Sequence, residues 1–325
     1  METETTTNPL TDQNTATDHV HKAASLDKAN QDMIIAKTNR KRFVKALEDG
    51  TLPCLPGKNG LADTEPVENI VKGTSYKGIT ALILKNFSRQ NNFTDERFFT
   101  MQQLEFVNMK MKLPFAARLR IKKGSHGVNI QYSVNKLDEN GSEIKDPVTG
   151  KSIKESQTVK LFNIEQLVDP DLLIDYAADQ RDARYEYMKE KVKNSGGIWH
   201  EPNPDKQKEV LTATTSDPVM YLAQYFEAMD TGRDFKVSKE IADEFKNKTK
   251  EYIFEHKEGE EPKKGLNPFR LNMLGAEAAY QYSVTKNDRQ AEIRNKYAEE
   301  KYNDKLKKFH EKNRKSVSDD YEMSM

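Results

Sequence analysis

The side chains best suited to catalysis are few and scattered in this chain. There are six histidines: His19, His21, His126, His200, His256 and His310. None stands with another as His-Glu-x-x-His, the spacing that puts two imidazoles on one helix face to hold zinc. The single cysteine, Cys54, can form neither an internal disulfide nor a cysteine zinc site, and no base adjoins it. No Gly-x-Ser-x-Gly elbow, Walker loop or Gly-x-Gly-x-x-Gly turn occurs. The carboxylates fall mostly on expected helix surfaces. The chain is therefore expected to be no enzyme and to need no cofactor or metal.

Binding chemistry is better supplied. The whole chain of 325 residues balances 52 Lys and Arg against 52 Asp and Glu, which excludes a uniformly basic binder of nucleic acid. The charge is nevertheless segregated. Between Arg97 and Gly124 stand seven basic residues, Arg97, Lys110, Lys112, Arg118, Arg120, Lys122 and Lys123, against Glu105 alone. Phe98, Phe99, Phe106 and Phe115 are interleaved with them. Cations that follow a phosphate backbone, with ring faces for the bases, are the equipment of a single-strand binder. The same residues could instead be a core of phenylalanines under a solvated basic face. From Glu165 to Glu190 the balance reverses, with eight acidic residues against three basic.

The elements that must position these residues follow from pattern. A basic helix is predicted from Leu26 to Glu48, capped at Ser25 or Asp27 and stopped at Gly50. A proline- and glycine-marked loop then reaches about Thr74. The apolar run Ile79–Leu84 is buried but is ambiguous between helix and strand. Thr100-Met-Gln-Gln103 is a capping box that opens a helix over about 101–110. Period two then takes over: Leu119 and Ile121, and Val128, Ile130, Tyr132 and Val134, predict an antiparallel hairpin about the turn at 122–127. Val159 and Leu161 supply a third strand. From Asp169 the pattern is helical, with starts at Asp169-Pro170, Asp217-Pro218, Ser238 and Asn267-Pro268. The expected fold class is α+β: a small antiparallel sheet packed on helices over residues 25–168, then a helical domain over 169–314. Residues 1–24 and 315–325 carry too little apolar surface to offset chain entropy and are expected as disordered tails.

One order of blocks is distinctive: Phe43-Val-Lys-Ala-Leu-Glu-Asp-Gly50, Tyr76-Lys-Gly78, Arg97-Phe-Phe-Thr-Met-Gln102, Ile121-Lys-Lys-Gly-Ser-His-Gly127 and Leu161-Phe-Asn-Ile-Glu-Gln166. It resembles the N-terminal domain of ArdC-type antirestriction proteins. The resemblance implies a domain that binds single-stranded DNA, on a plasmid or phage whose incoming DNA must survive host restriction. Thr51-Leu-Pro-Cys-Leu-Pro56 keeps the family's prolines without its tryptophans, and Thr80 stands where the family has Asn. The zinc-metalloprotease motif of full-length ArdC proteins is absent from the C-terminal half. The expected DNA contacts are Tyr76, Lys77, Arg97, Lys110, Lys112, Arg118, Arg120, Lys122 and Lys123, although Arg97 could equally serve structure through a carboxylate. Phe99, Asn163 and Gln166 are expected to serve structure.

Only 35 % of residues are apolar and the mean hydropathy is −0.89. No run of apolar residues is long enough to span a bilayer. With no signal-peptide pattern and one cysteine, the expected location is the cytoplasm. Single-stranded DNA is the expected partner. The competing reading is an interaction protein whose helical half docks a host or element-encoded protein.

Overall fold

The computed structural model describes residues 13–138, 140–195, 209–254 and 267–292, without the side chains of 13–26 and of Ser133. The first helix, α1 (Gln13–Glu48), begins well before the expected Leu26. No proline follows Pro9 until Pro53, and Ala16, Ala23 and Ala24 favour helix. Residues 13–24, expected as part of a tail, are thus helical, whereas 1–12 and 315–325 lie outside the described residues. Gly50, at φ +68°, ends α1 as expected.

The long loop is stitched by three two-residue strands: β1 (Leu61–Ala62), β2 (Glu68–Asn69) and β3 (Thr74–Ser75). The ambiguous apolar run is helix α2 (Gly78–Gln90), whose residues 81–88 are all buried. Next come β4 (Arg97–Thr100) and α3 (Met101–Lys110). Thr100 and Gln103 close the expected capping box. A single helical turn, Phe115–Ala117, precedes β5 (Val128–Asn135) and β6 (Lys154–Asn163).

All of these strands but β1 form one sheet in the order β3-β2-β4-β6-β5. This corrects the expected hairpin. Val128–Asn135 pairs with Lys154–Asn163, in the register Ile130↔Val159 and Tyr132↔Gln157. Ile121 makes only an isolated bridge to Leu167. Period two identifies strands but not their partners. The choice is made by β4, whose Phe98 and Phe99 point to opposite faces. Phe98 joins the large core with α1 and α2. Phe99 stacks on Phe162, ring centroids 6.1 Å apart, in a second core with α3 and the following helix, α4 (Asp171–Asn194).

The remaining elements are β7 (Val210–Thr212), α5 (Pro218–Thr231), β8 (Asp234–Lys236), α6 (Lys239–Phe254) and α7, a helix described from 270 to 292. Asp217 caps α5 through the amides of Val219 and Met220, as Asp-Pro predicts. The expected boundary at 168/169 does not divide the packing. Tyr221, Phe235, Phe245 and Leu274 share one core with Phe43, Leu47 and Leu82. A second sheet, β1-β8-β7, joins 61–62 to 210–212 and 234–236. The Tyr221 hydroxyl donates to the Cys54 carbonyl at 2.6 Å. Helix α7 lies tight against α2: a Cβ at Gly275 would sit 2.4 Å from that of Ile79. The architecture is α+β, as expected.

Candidate nucleic-acid interface

Edge strand β5 and its neighbour β6 present Ile130, Tyr132, Val159 and Leu161 on one face. Toward Val128 that face is covered by the large core. Toward Tyr132 it is left open, as the floor of a cleft of about 670 Å³. Phe106 and Gln103 of α3 form one wall, and Tyr76, Lys77 and Thr80 the other. Phe106 and Tyr132 are each 44 % exposed, so two large rings stand open to solvent in one hollow with half-buried Tyr76.

Tyr76 is held by a chain of amides. Asn69 Nδ2 donates to the Tyr76 hydroxyl at 2.8 Å and to Gln103 Oε1 at 3.2 Å. Gln103 Nε2 returns a bond to Asn69 Oδ1 at 3.0 Å. The capping box of α3 thus also orients a ring across the cleft. Burial raises the Tyr76 pKa, against a smaller opposing effect of Asn69, and keeps the hydroxyl neutral.

Lys72 and Lys77 stand on the rim. The Lys77 ammonium pairs with Asp230 of α5, which also accepts from Lys286 and Tyr282 of α7. Burial works to raise the Asp230 carboxyl, but these three donors outweigh it and hold the group far below the usual carboxylate range. Lys110 lies over the Phe106 ring, 5.6 Å from its centroid.

The nine expected contacts therefore do not form one site. Tyr76 and Lys77 line the cleft, and Lys110 reaches its Phe106 wall. Lys112, Arg118 and Arg120 follow the end of α3, with the Arg118 guanidinium 5.9 Å from the Phe115 centroid. Arg97 lines neither place: it is clamped on Asp95, with contacts of 2.6–3.1 Å, on the strand face opposite Phe98. Lys122 donates to the Glu165 carbonyl at 2.8 Å and shares a separate hollow with Arg42, Phe93 and His126. Exposed Lys123 adjoins it in the chain. One segment can thus hold seven bases and still distribute them over several surfaces.

Tyr132, Gln103 and Asn69 were not among the expected contacts. Strand alternation places Tyr132 on the apolar face, but only the position of the covering helices reveals that its end of the face is open. Phe99 and Phe98 are fully buried. Asn163 and Gln166 serve the backbone as expected: they form a second capping box, and Gln166 Nε2 donates to the His126 carbonyl. Trp199 lies outside the described residues.

Among the described residues, no three His, Cys, Asp or Glu side chains are placed to hold a metal ion. No described helix is long and apolar enough to cross a membrane.

The site is thus a sheet face with open, lysine-rimmed rings in an α+β domain. Residues 34–164 match the family model of the N-terminal domain of anti-restriction factor ArdC, and this part of the chain is an ArdC-type N-terminal domain. Two solved structures are similar at low identity, both of the antirestriction protein ArdC from plasmid R388. The metal-free one is 10 % identical, has a TM-score of 0.39, and the match covers 77 % of this chain and 96 % of that one. The Mn(II)-bound one is 8 % identical, also has a TM-score of 0.39, and the match covers 78 % and 97 %. No curated protein matches the chain.

Proposed function

We propose that this chain binds single-stranded DNA in the cleft between β5–β6, α3 and the start of α2, and that it does so in antirestriction on a mobile element such as a plasmid. The observation that carries the reading is the grouping of Tyr76, Phe106 and Tyr132 over one open floor, with Lys72, Lys77 and Lys110 close by. Every base has a ring face, so such a site binds with little sequence preference, and the lysines take the phosphates. The protein acts by occupancy, without chemistry on the DNA. The ArdC-type domain supplies the antirestriction context.

Titration of a labelled oligonucleotide at two salt concentrations tests the reading. Three phosphate contacts correspond to a loss of roughly 20-fold in affinity between 50 and 200 mM salt. No binding to single strands at low salt would overturn it. Stable co-purification with a protein in place of DNA would instead favour a docking role for the C-terminal helices.

A further inference from the structure

Beyond the cleft, the surface after α3 carries a second ring platform. Phe115 is 79 % exposed and Met109 69 % exposed. Isolated exposed apolar side chains need no explanation, but here they continue from Phe106 on the cleft wall. The platform is also held in place. Asn108 of α3 accepts from the Leu119 amide at 2.8 Å and donates to the Leu119 carbonyl at 3.2 Å. That clamp, the turn at Phe115–Ala117 and the burial of Leu119 fix the segment against α3, with the Phe115 ring left outside.

The charge of the segment itself is one-sided, with exposed Asp169, next to Val168 whose amide donates to the Arg120 carbonyl, on the neighbouring segment. Arg118 lies over the ring as Lys110 lies over Phe106, and Lys112 and Arg120 are exposed beside it in the chain. Glu105 is the only carboxylate between Arg97 and Gly124. A wholly apolar partner surface would bury these cations without counter-charge. A polyanion that also carries flat apolar groups matches both features, and a single nucleic-acid strand is such a ligand.

We infer that Phe115, with Arg118, is a second base-stacking station, and that a bound strand runs from the cleft over Phe106 to Phe115. Five helical steps and four extended residues place the Cα atoms of Phe106 and Phe115 at most about 23 Å apart, within reach of one strand. This inference rests on single-strand binding in the cleft and adds a ligand path outside it.

Oligothymidylates of about four and about sixteen nucleotides, near the ends of the range of single-strand site sizes, separate the two statements. Phe115→Ala is expected to weaken binding of the long oligonucleotide by at least roughly fivefold. The short one fits within the cleft and should bind as before. Phe115→Trp should keep the long-oligonucleotide affinity and report stacking as fluorescence quenching by the long oligonucleotide alone. Cleft binding with less than twofold loss in Phe115→Ala, or no quenching in Phe115→Trp, overturns the inference and leaves the cleft reading standing. Failure of the unmodified protein to bind either length overturns both.

Discussion

Lys77 and Lys85 stand about two helical turns apart at the start and in the interior of α2, and they do opposite things. The Lys77 side chain is 69 % exposed on the cleft rim and has one carboxylate partner, Asp230. The Lys85 side chain is 0 % exposed. Its ammonium lies 2.6 Å from Asp63 and 3.8 Å from Glu96, and Arg89 completes the group at 2.9 Å from Asp63. One lysine is placed where a ligand phosphate can compete for it. The other is consumed by the fold, as the buried counter-ion of two partly buried carboxylates. Charge counted along a sequence cannot separate the two, because the difference lies in what the rest of the chain places over each position.

The contrast breaks most visibly at Lys85. Lys85→Met removes the buried cation between Asp63 and Glu96 and leaves Arg89 on Asp63. Removing one partner of a fully buried pair costs about 3–5 kcal/mol, an upper bound for these partly exposed carboxylates. Denaturant unfolding of Lys85→Met should show a loss within that bound. A loss below about 1 kcal/mol would mean that the ammonium is not needed there.

Glu96 gives a smaller effect of opposite sign. Burial, despite the nearby Lys85, pushes its pKa up to about 6 from an ordinary 4.5. One of its carboxylate oxygens is buried without a hydrogen-bond partner. The folded state thus favours the protonated form. The stability this contributes is full below the unfolded value and is lost as pH rises through about 6. Glu96→Gln keeps the shape and removes the ionisation. It should raise stability at pH 7.5, by about 2 kcal/mol at most, and have little effect at pH 5. An equal change at both pH values would show that Glu96 does not titrate in this range.

These two positions also show what could be read from the chain. The capping box at Thr100 and Gln103 and the Asp217-Pro218 helix start are local chemistry, and both are legible in a few residues. The pairing of β5 with β6 is not. It joins strands separated by residues 136–153, and alternation alone names no partner. The shared core of the two halves is equally hidden, because contacts such as Tyr221 to Cys54 join residues far apart in sequence. At the candidate site, Tyr76 and Lys77 were legible through the order of the family-like blocks. The openness of Tyr132 and Phe106 depends on where the helices stop covering the sheet. For Arg97 the sequence leaves a DNA contact and a carboxylate partner equally open, and the structure pairs it with Asp95.

Lys77 sharpens the comparison from the other side, with the smallest effect on stability. Its side chain is exposed and Asp230 keeps Lys286 and Tyr282 as partners, so Lys77→Ala should cost less than about 1 kcal/mol. The effect on binding should be specific. Loss of one phosphate contact lowers the slope of log affinity against log salt by about 0.7 for a single strand. Asp230→Asn supplies the counter-test. It weakens the competitor for Lys77 while leaving the cation in place, so affinity for single-stranded DNA should rise at low salt. If Lys77 served the fold alone, Asp230→Asn and Lys77→Ala would both change stability and neither would change the salt slope. Lys77 would then be a second Lys85, and the cleft would have to hold its strand by Lys72 and Lys110.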